Sequence, residues 1–252
     1  MMATPAYSAE ILLHAAGSLR GALTDVAQAF EVSSGVRVQQ KYGASGTLRD
    51  AIAGGERAEV FASANMAHPQ SLAKAGKAGP VVLFARNRLC ALVKPGLAVT
   101  ADNLLERMLS TDIKLGTSTP KADPSGDYAF DVFGKAEALK AGSRAALEQK
   151  ALQLTGGATS AQPPDGRGVY GWHIAEGRAD IFLAYCTAAA IAVKENPGQQ
   201  VVTLPDALSV GADYGLTVMN DASPAAYRFA MFILSTEGQG ILAKHGFVTP
   251  GL

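Results

Sequence analysis

Residues 41–50 read KYGASGTLRD. A β-like segment runs into Gly43, Ala44, Ser45, Gly46 and Thr47, and a helical pattern resumes at Leu48 and Arg49. A loop that only connects is more often built from Asn, Asp or Pro. This one is small and hydroxyl-bearing, which lets another group come close to the backbone. A strand that delivers a serine to the start of a helix is a local unit of an α/β fold, and the unit recurs. HAAGSLRGAL (residues 14–23) places Ser18 after a strand and before a helix, and DPSGDYAF (residues 123–130) puts Ser125 just ahead of a helical run.

Working outward, short apolar runs alternate with helical periods along nearly the whole chain, the pattern of an α/β fold with largely parallel strands. Strands are predicted over residues 10–16, 36–42, 59–64, 88–94, 113–118, 179–185, 200–204 and 214–219. From residue 19 to 34, Leu19, Leu23, Val26, Ala27 and Phe30 fall at helical steps, and Gly35 supplies a stop. Residues 224–244 repeat that pattern with a predicted break at Glu237-Gly238. Residues 155–168, TGGATSAQPPDGRG, exclude regular structure through Pro163-Pro164 and their glycines. They are long for a connection, so they read as a surface excursion or a functional loop.

The 252 residues permit one large or two medium domains. Lys plus Arg and Asp plus Glu both number 22, so no net field exists to hold nucleic acid or an anionic membrane. No stretch approaches the roughly 18 to 20 apolar residues of a membrane span. The opening MMATPAYS lacks the basic and apolar regions of a signal peptide. It reads either as a native cytosolic start or as the replacement of a removed export signal, to which the doubled Met1-Met2 points. Cys90 and Cys186 fit no metal spacing and are either one disulfide or two buried thiols, the second being the simpler reading. His14, His68, His173 and His245 show no metal-ligand spacing, and neither metal nor cofactor is expected.

Each serine alone reads as an N-cap, accepting an orphan backbone N–H. Three of them in one chain point further, because such loops gather at the carboxyl ends of strands in an open α/β sheet, where ligands bind. Helix N-termini offer unpaired N–H groups and partial positive charge, so several together hold an anion without Lys or Arg. GASG also suggests a serine hydrolase with Ser45 as nucleophile. The elbow pattern is Gly-x-Ser-x-Gly, however, and here Gly46 follows Ser45 directly. Neither a P-loop nor a Gly-x-Gly-x-x-Gly after a strand is present.

AAGSL, KYGASGTL, AEVFASAN, ADIFLAYCTAA, ADYGLTV and ILSTEGQGILAKHGF together resemble the periplasmic molybdate-binding proteins of ABC importers, within the class II substrate-binding fold, over residues 10–247. The resemblance implies two α/β lobes, each a mixed, mostly parallel sheet flanked by helices. Residues 1–87 and 206–252 would form one lobe and 88–205 the other, with two hinge crossovers. It implies a periplasmic monomer, not an enzyme, that captures a tetrahedral oxyanion in a cleft and delivers it to a membrane permease. The ligand would be molybdate, with tungstate comparable; sulfate, phosphate or an organic anion is the alternative. By motif, the ligand serines match Ser18 and Ser45, a backbone donor falls at Ser125, and the strand-ending tyrosine matches Tyr185. A further backbone donor falls near Arg167. Arg167 departs from the family's neutral donors: facing the ligand it would grip bidentately, and otherwise it is a solvated loop residue. Selectivity would rest on cavity size and on a lining that only donates hydrogen bonds.

Overall fold

The computed structural model describes residues 10–250. Residues 1–9, on which the reading of the chain's start rests, and 251–252 lie outside the described residues. The chain divides into two compact units, one from Met1–Arg86 with Asp213–Leu252, the other Asn87–Ala212.

Unit 1 opens with β1 (Glu10–Ala16), α1 (Arg20–Ser34), β2 (Arg37–Gly43), α2 (Ser45–Ala53), β3 (Val60–Ser63), α3 (Ala67–Lys74) and the first part of β4 (Val82–Val93). β1 is apolar almost throughout because it lies between two parallel neighbours, β2 (Ile11↔Val38) and β3 (His14↔Phe61). α1 turns Leu23, Val26, Ala27 and Phe30 inward and ends at Gly35 in the left-handed region (φ 70°).

Unit 2 continues from β4 through α4 (Leu104–Leu109), β5 (Leu115–Ser118), α5 (Pro124–Leu139), α6 (Ser143–Lys150), β6 (Leu152–Thr155), α7 (Val169–Ala175), β7 (Ile181–Tyr185), α8 (Cys186–Glu195) and β8 (Gln200–Thr203). β5 pairs in parallel with β6 and β7, and β4 runs antiparallel to both β7 and β8. Leu92, Ile174, Phe182, Ala184, Ala189 and Ala192 share one core. Cys90 of β4 and Cys186 of α8 are joined by a disulfide, so the two buried thiols of the simpler reading are in fact bonded.

The chain returns to unit 1 along β9 (Gly211–Val218), antiparallel to β3 (Ala62↔Leu216), and closes with α9 (Pro224–Leu234) and α10 (Thr236–Lys244). The rings of Phe229 and Phe232 pack 5.2 and 5.5 Å from that of Phe30. Glu59, almost fully buried, accepts hydrogen bonds from Leu12 N–H and Ser223 N–H, both 2.9 Å, and so fastens β1 to the start of α9.

Four elements depart from the sequence reading. β6 lay inside a stretch with no strand signal, and β4 starts at Val82 instead of 88. The break in the C-terminal helical run falls at Ser235, whose hydroxyl accepts Gly238 N–H, and Glu237-Gly238 sits inside α10. Residues 206–212 belong to unit 2, where Leu89 N–H bonds Val210 O and Lys135 Nζ bonds Ser209 O. Among the described residues no helix is long and apolar enough to cross a membrane, and no group of three or more His, Cys, Asp or Glu could hold a metal ion.

Candidate functional site

In unit 1, Ser18 occupies the short turn Gly17–Leu19 between β1 and α1, and its side chain caps neither helical segment. Its Oγ lies 3.0 Å from Tyr214 Oη of β9. The Tyr214 ring is fully buried, edge-on to Phe84 and Phe247. Ser45 is the first residue of α2, and it too makes no cap bond. Its hydroxyl is buried and accepts Ala64 N–H at 3.1 Å. A hydroxyl that accepts still has its own hydrogen to donate. The first intrahelical bond of α2 runs from Leu48 N–H to Ala44 O, so the N–H groups of Ser45, Gly46 and Thr47 precede the helical ladder. Within unit 1 the strand ends therefore present hydroxyls and helix-start amides, and capping accounts for neither serine.

In unit 2, Ser125 is not the cap of α5 either. The cap is Asp123, whose Oδ1 accepts Ser125 N–H at 3.1 Å, with Pro124 in the first turn. The backbone N–H that the resemblance offers to a ligand is thus bonded to a carboxylate in this structure. The Ser125 hydroxyl is fully buried and meets no partner with hydrogen-bond geometry; the same holds for Ser118, at the end of β5. Both hydroxyls lie beside the Tyr170 hydroxyl of α7, and Ser118 also lies beside the Asp123 carboxyl. The approach of α5 to the β5 loop is possible because residue 126 is glycine. A Cβ there would stand 2.6 Å from Ser118 O and Thr119 C.

Burial pushes the Asp123 carboxyl up to about 6; Ser125 N–H and the Ser118 hydroxyl oppose the rise, and the nearby Asp127 adds to it. Burial, then the charge of Asp123, raises the Tyr170 phenol, which stays a donor at any ordinary pH. The surroundings of Ser125 are therefore not donor-only.

Tyr185 ends β7, fully buried, its ring edge-on to Tyr128 at 6.3 Å. Arg167 lies elsewhere. Its guanidinium donates to Asn196 Oδ1 at 2.7 Å and its N–H to Pro164 O. Glu195 accepts the next amide, Gly168 N–H. Asn196 closes α8 while Tyr185 precedes it, and ten helical residues separate the two by about 15 Å. The structure thus gathers Ser118, Asp123, Ser125 and Tyr170 in unit 2 and holds the Arg167 side chain on other partners.

Sequence reasoning did not single out Asp123, Ser118, Tyr170 or Tyr214. Asp123-Pro124 carries a readable signal, a cap residue followed by proline in the first turn. Nothing local announces Tyr214, whose partner is 196 positions away.

Residues 11–248 match the family of bacterial extracellular solute-binding proteins. The chain belongs to that family. Uncharacterized protein PM1146 of Pasteurella multocida is 35% identical, over 93% of this chain and 96% of its own. The molybdate-binding protein ModA of Mycobacterium tuberculosis is 26% identical, over 95% and 85%. The solved periplasmic molybdate-binding protein of Azotobacter vinelandii superposes with a TM-score of 0.76 at 20% identity, covering 96% of this chain and 99% of that one. The fold is that of the periplasmic binding proteins, whose family serves ABC importers as solute carriers.

Proposed function

We propose that this protein captures a small tetrahedral oxyanion in the periplasm, molybdate first and tungstate comparably, and hands it to an ABC permease. One observation carries the reading. The Ser45 hydroxyl, buried at the first residue of α2, is anchored by Ala64 N–H yet leaves its hydrogen and the first-turn amides to a ligand. Ser18, Ser125 and Tyr185 are the further ligand groups in this reading, and Arg167 is set aside because Pro164 O takes its backbone N–H and Asn196 holds its guanidinium. Likeness to ModA of M. tuberculosis is what puts molybdate first in this reading. The disulfide suits an oxidising compartment.

Charge-assisted hydrogen bonds, about 1.5–3 kcal/mol each net, must together exceed the cost of stripping water from a dianion. A thermal-shift screen with molybdate, tungstate, sulfate and phosphate tests this. A rise in melting temperature with the two larger anions is the expected result, and no rise with any of the four ends the oxyanion reading.

The rival, a hydrolase using Ser45, needs a histidine on that hydroxyl, which here bonds Ala64 N–H. Turnover of a chromogenic ester, lost in Ser45→Ala, would favour it.

A further inference from the structure

The α5 start is an unusual place for a ligand anion, because it already holds a negative group. Asp123 covers the helix N-terminus and takes Ser125 N–H, while the buried Ser118 and Ser125 hydroxyls lie beside the Tyr170 hydroxyl, and Ser118 beside the Asp123 carboxyl, without reaching hydrogen-bond geometry. Buried hydroxyls that fall short of bonding geometry with their neighbours leave hydrogen-bonding capacity that an oxyanion could use. A carboxylate among them is an acceptor with nothing to offer a fully ionised guest, and two negative charges in contact cannot both stay ionised. Protonation resolves the conflict: a neutral carboxyl becomes a donor toward the same oxyanion.

We propose that the site takes up its oxyanion together with one proton, shared between the ligand and the Asp123 carboxyl. This rests on the oxyanion reading above and narrows its substrate class. An oxyanion of the hydrogen phosphate kind brings that proton with it. A fully ionised one, of the molybdate or sulfate kind, draws its proton from solvent and loads best in mild acid.

The groups facing Asp123 are few. From the end of β5 comes the neutral Ser118; from α5 itself come Ser125 and the anionic Asp127, whose Oδ1 is tied to Lys121 N–H; from α7 comes Tyr170, protonated throughout. The loop side is Gly156, in the left-handed region (φ 82°), where a Cβ would stand 2.5 Å from Asp123 Cβ, so the carboxyl packs directly on bare backbone. No cation is among these groups to keep the carboxyl ionised, and its own value of about 6 agrees.

Calorimetric titration of the full chain with molybdate, and separately with inorganic phosphate, in two buffers of different protonation heat counts the protons taken up. At about pH 8 the parent should take up close to one proton per molybdate and fewer per phosphate. Its molybdate affinity should fall about tenfold per pH unit above the carboxyl's value and level off below it. Asp123→Asn keeps a side chain that caps as well and should bind molybdate with no proton uptake and a flat pH profile. A role confined to capping would leave the proton count at zero in both proteins. Molybdate bound without proton uptake, at an affinity unchanged from about pH 5 to about pH 8, overturns the proposal but spares the oxyanion reading. Absence of heat with both anions, at any pH, overturns both.

Discussion

Ser18 Oγ and Tyr214 Oη stand 3.0 Å apart, although 196 positions separate them in the chain. The contact joins the first strand-end turn of unit 1 to the strand that returns last, and it sets which way the Ser18 hydroxyl can point. A tyrosine this deeply packed cannot follow a moving serine, so the serine is the one oriented.

Tyr214→Phe removes the orienting hydroxyl and keeps the ring against Phe84 and Phe247. Oxyanion affinity should drop several-fold, in line with about 0.5–1.5 kcal/mol for one neutral hydrogen bond. Titration calorimetry reads it; an affinity equal to the parent's would remove the pair from the binding apparatus.

Ser45→Ala strips Ala64 N–H of its acceptor and the ligand of a donor. On about 1–3 kcal/mol for a buried group left unpaired, binding should weaken tenfold or more and the melting temperature should fall. A lower melting temperature with intact affinity would assign Ser45 to structure alone.

Gly126→Ala forces a methyl against Ser118 O and Thr119 C. Overpacking of this kind costs about 1–3 kcal/mol, and the displaced α5 start should carry ligand affinity down with it. Denaturant unfolding beside ligand titration separates the two effects.

Reduction of Cys90–Cys186 frees a loop of sequence separation 96. The loop-entropy estimate is about 4–5 kcal/mol, so a reductant should lower the melting temperature clearly. Two free thiols counted in the unfolded, unreduced protein would mean that they were never joined.

Burial alone would raise the Glu59 carboxyl, but the N–H groups of Ser223 and Leu12 prevail and hold it below the ordinary 4.5. A depressed carboxyl stabilises the fold fully above its unfolded value, and that stability is lost as pH falls through the lower folded value. Glu59→Gln should cost about 1.5–3 kcal/mol at neutral pH and flatten this acid limb, as urea titrations across pH would show.

The fold was legible where pattern and burial coincide. β1 and α1 follow from ILLHAA and the Leu23–Phe30 spacing, because an apolar run and a helical stripe each have one economical way to be buried. β6 was missed since LQLT is short and faces solvent at Leu152 and Gln153. Gly238 read as a helix breaker, yet a Cβ there would lie 2.2 Å from Phe232 O, so the glycine serves a close approach. Around the candidate loops, local sequence named the serines but gave capping as their alternative use, which the geometry of Ser18, Ser45 and Ser125 does not support. The groups around them, Tyr214 and Tyr170, come from distant segments and leave no local trace. Asp123 was readable as a cap, though not as the acid among hydroxyls that it becomes once α5, β5 and α7 meet.

The split of unit 1 between the two ends of the chain fixes an order of assembly. As the polypeptide emerges from the ribosome or the export channel, unit 2 is a continuous stretch that can finish folding first. β3 must wait, one side bare, until β9 arrives some 150 residues later to pair Ala62 with Leu216. Over that interval an unpartnered apolar strand is open to aggregation, which makes a holding chaperone most useful to the half-built first unit.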